Sequence, residues 1–268
     1  MVAVLVLALV TACAGQTPGG IRPEPVGGPL GGASQPVVTP SFTACGTSEA
    51  QPARTNLRPR ALSAGDAHVD PDRFGTLPVD GALVVEDAGD LVLADGFVDA
   101  GSGFEVGYAA PFAPDVRVAD ATVTAPVAVA VLDTASSGRR VAAVEVRVGA
   151  GTPVRWEEEP DLFFGTDGGD GGFLATRGLP TGVEVDGWDY VEAFYPDGDS
   201  AAGIVCVLRR TSAGGQVDGV LFSTGWGDGG YPVLLGRAAD GAVVSVLCWT
   251  GIVPWEWSGL AGEIPDEG

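Results

Sequence analysis

The sequence predicts an all-β body, mainly antiparallel and sandwich- or barrel-like, with at most one or two short helices. Three observations lead there. Glycine and proline make up 62 of the 268 residues, about twice their usual share, and both are poor in helix interiors. From about Leu77 onward the apolar residues come in short runs broken by turn residues, the pattern of many close-spaced strands. Several of those runs alternate. In Val144-Glu145-Val146-Arg147-Val148 the valines share one face and the charges the other, which is the period of a half-buried strand. Val127-Ala128-Val129-Ala130-Val131 repeats the pattern with small residues, and valine favours strands.

Taken in chain order, Val2 to Val10 is apolar and uncharged. It is shorter than the ~20 residues that span a bilayer and fits a signal-peptide core, so residues 1–12 read as a signal peptide. Val10-Thr11-Ala12-Cys13 resembles the lipobox of bacterial lipoproteins, although no Lys or Arg precedes the apolar run. That resemblance implies lipidation of Cys13, a membrane anchor and an extracytoplasmic location at the bacterial cell surface. A buried apolar strand is the alternative. Residues 13–60 hold eight prolines and eight glycines with no hydrophobic period, and read as a linker. Residues 61–76 form a lead-in, 77–257 the β-rich domain, and 258–268 an acidic tail.

Within the domain the expected strands are Ala82–Val85, Leu91–Ala94, Phe104–Tyr108, Ala121–Leu132, Val141–Val148 and Val154–Glu157. A second group follows at Ile204–Arg209, Val217–Ser223, Pro232–Arg237 and Ala242–Trp249. Asp240-Gly241 is a two-residue hairpin signal. Only Gly187–Tyr195 suits a short helix.

Charge and composition exclude several functions. The net charge is −21, all 14 basic residues are arginine, and His68 is the single histidine. Without lysine there is no P-loop and no pyridoxal Schiff base. One histidine rules out an HExxH helix or a two-histidine zinc site. His68 also lies outside the strand-rich part, which argues against a Ser–His–Asp or Cys–His site. Residues 61–268 carry 33 acids against 10 arginines, so nucleic acid is not an expected partner. Arg139-Arg140 and Arg209-Arg210 are the only basic pairs after the linker, too little for phosphate recognition.

Chemistry is most concentrated in two glycine loops. Asp167 and Asp170 lie in Gly165-Thr166-Asp167-Gly168-Gly169-Asp170-Gly171-Gly172-Phe173. Two carboxylates there suit calcium or a general acid/base pair, although the spacing is not that of an EF-hand. The alternative is a surface turn. Trp226, Asp228 and Tyr231 lie in Ser223-Thr224-Gly225-Trp226-Gly227-Asp228-Gly229-Gly230-Tyr231-Pro232. Trp226 suits a stacking floor and Asp228 a polar handle, or else the segment is a tight connection with its aromatics in the core. Trp249, Trp255 and Trp257 fall within nine residues. Such rings serve sugar and peptide sites, or here a C-terminal segment that seals the open edge of the body. Cys206 and Cys248 are the favoured disulfide pair, with two buried thiols as the alternative.

The string Gly225-Trp226-Gly227-Asp228-Gly229-Gly230-Tyr231-Pro232-Val233, continuing to Gly236-Arg237 and Asp240-Gly241, resembles a bacterial family of unknown function, DUF4241. Arg140-Val141-Ala142-Ala143 and Pro153-Val154-Arg155-Trp156 share the resemblance, which spans roughly Leu83 to Val253. Gly172 stands where the family has a cysteine, and Cys248 where its members have an aspartate. The resemblance implies a β-rich fold and no particular activity.

The expectation is therefore a lipoprotein whose acidic β body binds an envelope protein or glycan, without demonstrated catalysis and without a required cofactor. Two alternatives stand beside it. One is a carboxylate-based or Ca-dependent hydrolase using Asp167, Asp170 and Asp228; the other is an immunity or accessory partner of a secreted toxin.

Overall fold

Thirteen strands and two single 3-10 turns make up the described part of the chain. The structure, a computed structural model, describes residues 41–43, 48–62, 81–101, 116–134, 138–166, 169–175, 208–211, 217–225 and 227–264. The signal segment, Cys13, the expected strand Phe104–Tyr108, the helix Gly187–Tyr195, His68 and Cys206 lie outside these residues. Val37–Gly268 forms one compact unit.

The strands are β1 (Ser41–Thr43), β2 (Arg60–Ala61), β3 (Gly81–Leu93), β4 (Phe97–Gly101), β5 (Val116–Arg117), β6 (Val123–Thr134) and β7 (Gly138–Arg147). They continue with β8 (Arg155–Thr166), β9 (Asp170–Leu174), β10 (Leu208–Thr211), β11 (Val217–Ser223), β12 (Gly229–Arg237) and β13 (Val243–Trp249). The 3-10 turns are Ala94–Gly96 and Trp255–Trp257. Six strands form one sheet in the order β1-β10-β11-β9-β4-β5, and seven form the other in the order β2-β3-β6-β7-β13-β12-β8. Neighbouring strands of each sheet run antiparallel, so the fold is the expected all-β sandwich. Among the described residues no helix is long and apolar enough to cross a membrane.

Alternation along the strands builds the main core. Val127, Val129 and Val131 of β6 and Val144 and Val146 of β7 face Val98, Phe173, Val220 and Phe222 of the six-stranded sheet. The rings of Phe173 and Phe222 lie 5.9 Å apart. The Asp240-Gly241 signal is a tight turn between β12 and β13: the Gly241 amide donates to the Ala238 carbonyl at 2.9 Å, and the Ala242 amide to the Asp240 carboxylate at 3.0 Å.

The second face of the seven-stranded sheet departs from a half-buried pattern. It carries its own apolar layer, in which Ala128, Ala130, Leu132, Ala142 and Leu247 meet Leu57, Leu62, Ile252 and Trp257. Part of the cover comes from regions that composition assigns elsewhere. Residues 48–60, read as linker, lie against the sheet: Ala50 N donates to the Val85 carbonyl, and the Asp87 amide to Ser48. Residues 258–264, read as a tail, are also part of the fold. Ser258 is buried, and Glu263 forms a parallel bridge with Arg155 at the start of β8. The two segments meet where the Arg58 amide donates to the Ser258 carbonyl at 3.1 Å and the Arg60 guanidinium stands 5.2 Å from the Trp257 ring.

The covered face explains Glu145. The sequence places it on a solvent face, yet it is 0% exposed. One carboxylate oxygen, Oε2, accepts from Thr55 Oγ1 at 2.5 Å and from the Asn56 amide at 2.7 Å. The other accepts from Asn56 Nδ2 at 2.8 Å and from Ser245 Oγ. Four donors replace the water that a buried charge loses, the condition under which such burial is tolerated. Glu145 thus holds the 54–58 segment onto β7 and β13.

Candidate functional site

The two glycine loops picked out in the sequence are neighbours. Strand β8 belongs to the seven-stranded sheet and β9 to the six-stranded one; β11 and β12 make the same change in reverse. Thr166 at the end of β8 is paired with Gly229, and Asp170 at the start of β9 with Ser223. Both crossings therefore sit at one corner of the sandwich. The Thr224 amide donates to the Gly169 carbonyl at 2.9 Å. A Cβ on Gly169 would stand 2.8 Å from Gly227 Cα, so the two backbones touch as only glycines allow. Gly225, at φ +78, leaves no room either, because a Cβ there would meet the Val141 carbonyl oxygen at 2.3 Å.

Polar groups fix the corner from within. Thr224 Oγ1 and Tyr231 Oη both donate to the Gly227 carbonyl at 2.7 Å. Arg140 Nη1 donates to the Gly225 carbonyl at 2.7 Å. Asp170 is buried, and its carboxylate accepts from Thr166 Oγ1 at 3.0 Å. Asp228 is exposed, and Tyr231 is buried in the main core. Asp167 and Trp226 lie outside the described residues. Asp170 and Tyr231 thus hold the corner together, and Asp228 alone of the three faces solvent. Among the described residues no group of three His, Cys, Asp or Glu side chains is placed to share a metal ion.

Cys248 is a free thiol buried in the main core; Cys206, its expected disulfide partner, lies outside the described residues. Burial pushes its thiol well above the ordinary range, because the thiolate has no polar surroundings to stabilise it.

A second feature lies on the outer face of the seven-stranded sheet. Trp156 and Trp255 stand edge to face at 5.7 Å, and Trp255 and Trp249 at 5.2 Å. Trp156 is buried under this chain, its indole donating to the Ala261 carbonyl at 2.9 Å. Trp249 and Trp255 remain partly exposed. The tryptophan-rich C-terminus therefore lies over a sheet face rather than only along an edge. Phe163 of β8 extends the patch. It is opposite Pro232, and the register that pairs Val233 with Cys248, continued by one residue, sets Pro232 beside Trp249. The Phe163 ring lies over glycine: a Cβ on Gly230 would meet it at 2.7 Å and one on Gly165 at 3.1 Å. The residue is 53% exposed.

Carboxylates border these rings. Glu158 is opposite Leu234 and so shares the outer face with Trp156. Between Phe163 and Glu158 the ladder shifts: the segment Glu159-Pro160-Asp161-Leu162 bulges opposite Val233. Leu162 points into the main core while Asp161 is exposed. Arg155 and Arg237 of the same edge both bind Glu157, Arg155 Nε at 2.7 Å. Hydrogen bonds from Arg237 first, and from Arg155, hold the Glu157 carboxyl below its ordinary 4.5. The tryptophans were visible in the sequence but Phe163 was not, its signal being its place in the alternation Asp161, Phe163, Gly165.

Residues 182–248 match the family model for DUF4241, a protein of unknown function. The matched span contains the Gly225–Val233 string, strands β10 to β12 and all but the last residue of β13, so the resemblance to that family is borne out there. The stretches Arg140–Ala143 and Pro153–Trp156 lie before it. No curated protein and no solved structure matches the chain.

Proposed function

We propose that the chain is an extracytoplasmic lipoprotein, anchored through a lipid on Cys13, whose acidic β body binds an envelope partner, with no demonstrated catalysis. One observation carries the binding reading: the row Phe163, Pro232, Trp249 and Trp255 leaves aromatic surface open on a face otherwise sealed by chain. Exposed rings clustered on a rigid sheet are the usual anchors of an interface. The corner built from the two glycine loops fits a structural role better, since Asp170 is tied to Thr166 and Tyr231 to Gly227. A hydrolase using Asp170 and Asp228 as a pair gains nothing from one buried, bonded carboxylate and one exposed one. The anchor reading rests on the Val2–Val10 run and the Val10–Cys13 tetrapeptide.

The test has two parts. Cys13→Ala is expected to move the protein out of the membrane fraction or leave it unprocessed; a wild-type protein found wholly soluble in the cytoplasm overturns the anchor. A photo-crosslinking residue at position 163 is expected to trap an envelope component that one at Asp240, on the far hairpin turn, does not. Equal trapping at both positions overturns the binding face.

A further inference from the structure

Resting on that reading, we infer that the outer aromatic row is a docking surface for an extended, arginine- or lysine-bearing segment of a protein partner. Charge selects the occupant. Glu158, Asp161 and Glu256 are exposed beside the rings, and among the described residues none of them is in an ion pair. The cations of the edge, Arg155 and Arg237, are both bound to Glu157 rather than to Glu158, Asp161 or Glu256. The protein as a whole carries −21, a field that draws cationic groups and repels acidic peptides and anionic glycans.

The rings suit the same occupant. A guanidinium or ammonium group is attracted to an aromatic face, and the Phe163 ring lies against Gly165 and Gly230 while the residue stays 53% exposed. Asp161, two residues away on the same strand, is within the reach of a long basic side chain whose head lies on that ring. An extended or polyproline-like segment also matches the row itself, where Pro232 alternates with Phe163 and Trp249, since flat aromatic and proline surfaces receive such segments without a deep pocket. Strand addition is the poorer mode here. Pro160 has no amide to donate and the bulge at 159–162 breaks the edge, two devices that keep an edge strand from pairing.

The experiment titrates the full-length protein in detergent with three probes: a ten-residue arginine–proline peptide, its glutamate–proline counterpart, and a neutral chito-oligosaccharide. Tryptophan fluorescence reads the binding. The arginine–proline peptide is expected to bind, to weaken as salt rises, and to outcompete the other two. Phe163→Ala is expected to raise its Kd by about three- to thirtyfold. Glu158→Gln with Asp161→Asn, which keeps the shape and cannot be blamed on unfolding, is expected to raise it by about two- to fivefold per charge and to flatten the salt dependence. Saturable binding of the oligosaccharide with none of the peptide overturns this inference but leaves a binding face in place. Peptide binding that neither variant changes overturns the assignment to this surface. No binding of any probe, together with equal crosslinking at 163 and 240, overturns the binding reading itself.

Discussion

Glu145 is the residue whose loss the fold should feel most. Replacing it by Gln keeps its shape but removes the charge and turns one acceptor into a donor. The Asn56 amide cannot reorient, so the remaining oxygen must stay at the Oε2 position, facing Asn56 N and Thr55 Oγ1. The new NH2 group then faces Asn56 Nδ2 and Ser245 Oγ. Ser245 can rotate to accept, and Asn56 must flip or lose its bond. A hydrogen bond to a charged group contributes about 1.5–3 kcal/mol and a neutral one about 0.5–1.5. Weakening three bonds and risking the fourth, offset by the cheaper burial of an amide, comes to about 2–4 kcal/mol. Glu145→Ala strands all four donors and is expected to cost about 4–6 kcal/mol, near the lower end of the ~5–15 kcal/mol that holds a domain together. Thermal melts followed by tryptophan fluorescence read the difference. For a domain of this size ~1 kcal/mol moves Tm by about 2–4 °C, so Glu145→Gln is expected to melt about 5–15 °C below wild type. A Glu145→Gln variant that melts with wild type refutes the buried clasp and the docking of residues 54–58 on the sheet.

Other outcomes follow from the same packing. Gly225→Ala combines a positive φ with a carbonyl oxygen 2.3 Å from the new Cβ, and denaturant melts should show a loss of about 2–4 kcal/mol; a change below ~0.5 kcal/mol would show that the corner is loose. Cys248, its thiol raised by burial, should resist alkylation at pH 8 in the folded protein and react once urea is added, as peptide mass spectrometry can report. Ready labelling of the folded protein would contradict its place in the core. The Glu157 carboxyl is held below its ordinary 4.5, so its ion pairs with Arg237 and Arg155 add stability above about pH 4.5 and lose it as pH falls through the lower folded value. The pair is exposed and its contribution small. Melts of wild type and Glu157→Gln should differ by a constant amount from pH 7 to pH 5 and converge below that; a gap that widens in acid would reverse the sign.

The strand-forming part of the fold was legible because period-two alternation is a local signal. Val217–Ser223 appears as expected, and Asp240-Gly241 makes its turn between β12 and β13. What alternation does not report is whether the second face is wet. Glu145 alternates like a surface residue, and its burial depends on Thr55 and Asn56, 90 and 89 residues away. Composition averaged over residues 13–60 hid those partners, since Thr55-Asn56-Leu57 is a short packed piece in a Gly/Pro-rich tract. Strand β9 was hidden for a related reason. Its Asp170-Gly171-Gly172 reads as a turn, yet Phe173 fills the main core and Asp170 is bonded to Thr166. The two glycine loops were each visible, but their contact was not, because it depends on two strands crossing between sheets at the same corner. The aromatic row assembles from β8, β12, β13 and the C-terminal turn, and no window of sequence holds all four.

Amide hydrogen exchange of the full-length protein, with and without the arginine–proline peptide, locates the binding face. New protection is expected to concentrate on the outer face, in residues 156–164, 229–233 and 249–257. Protection confined to the glycine corner at 165–170 and 224–228, with the aromatic row unchanged, would contradict it and place the binding site in those loops.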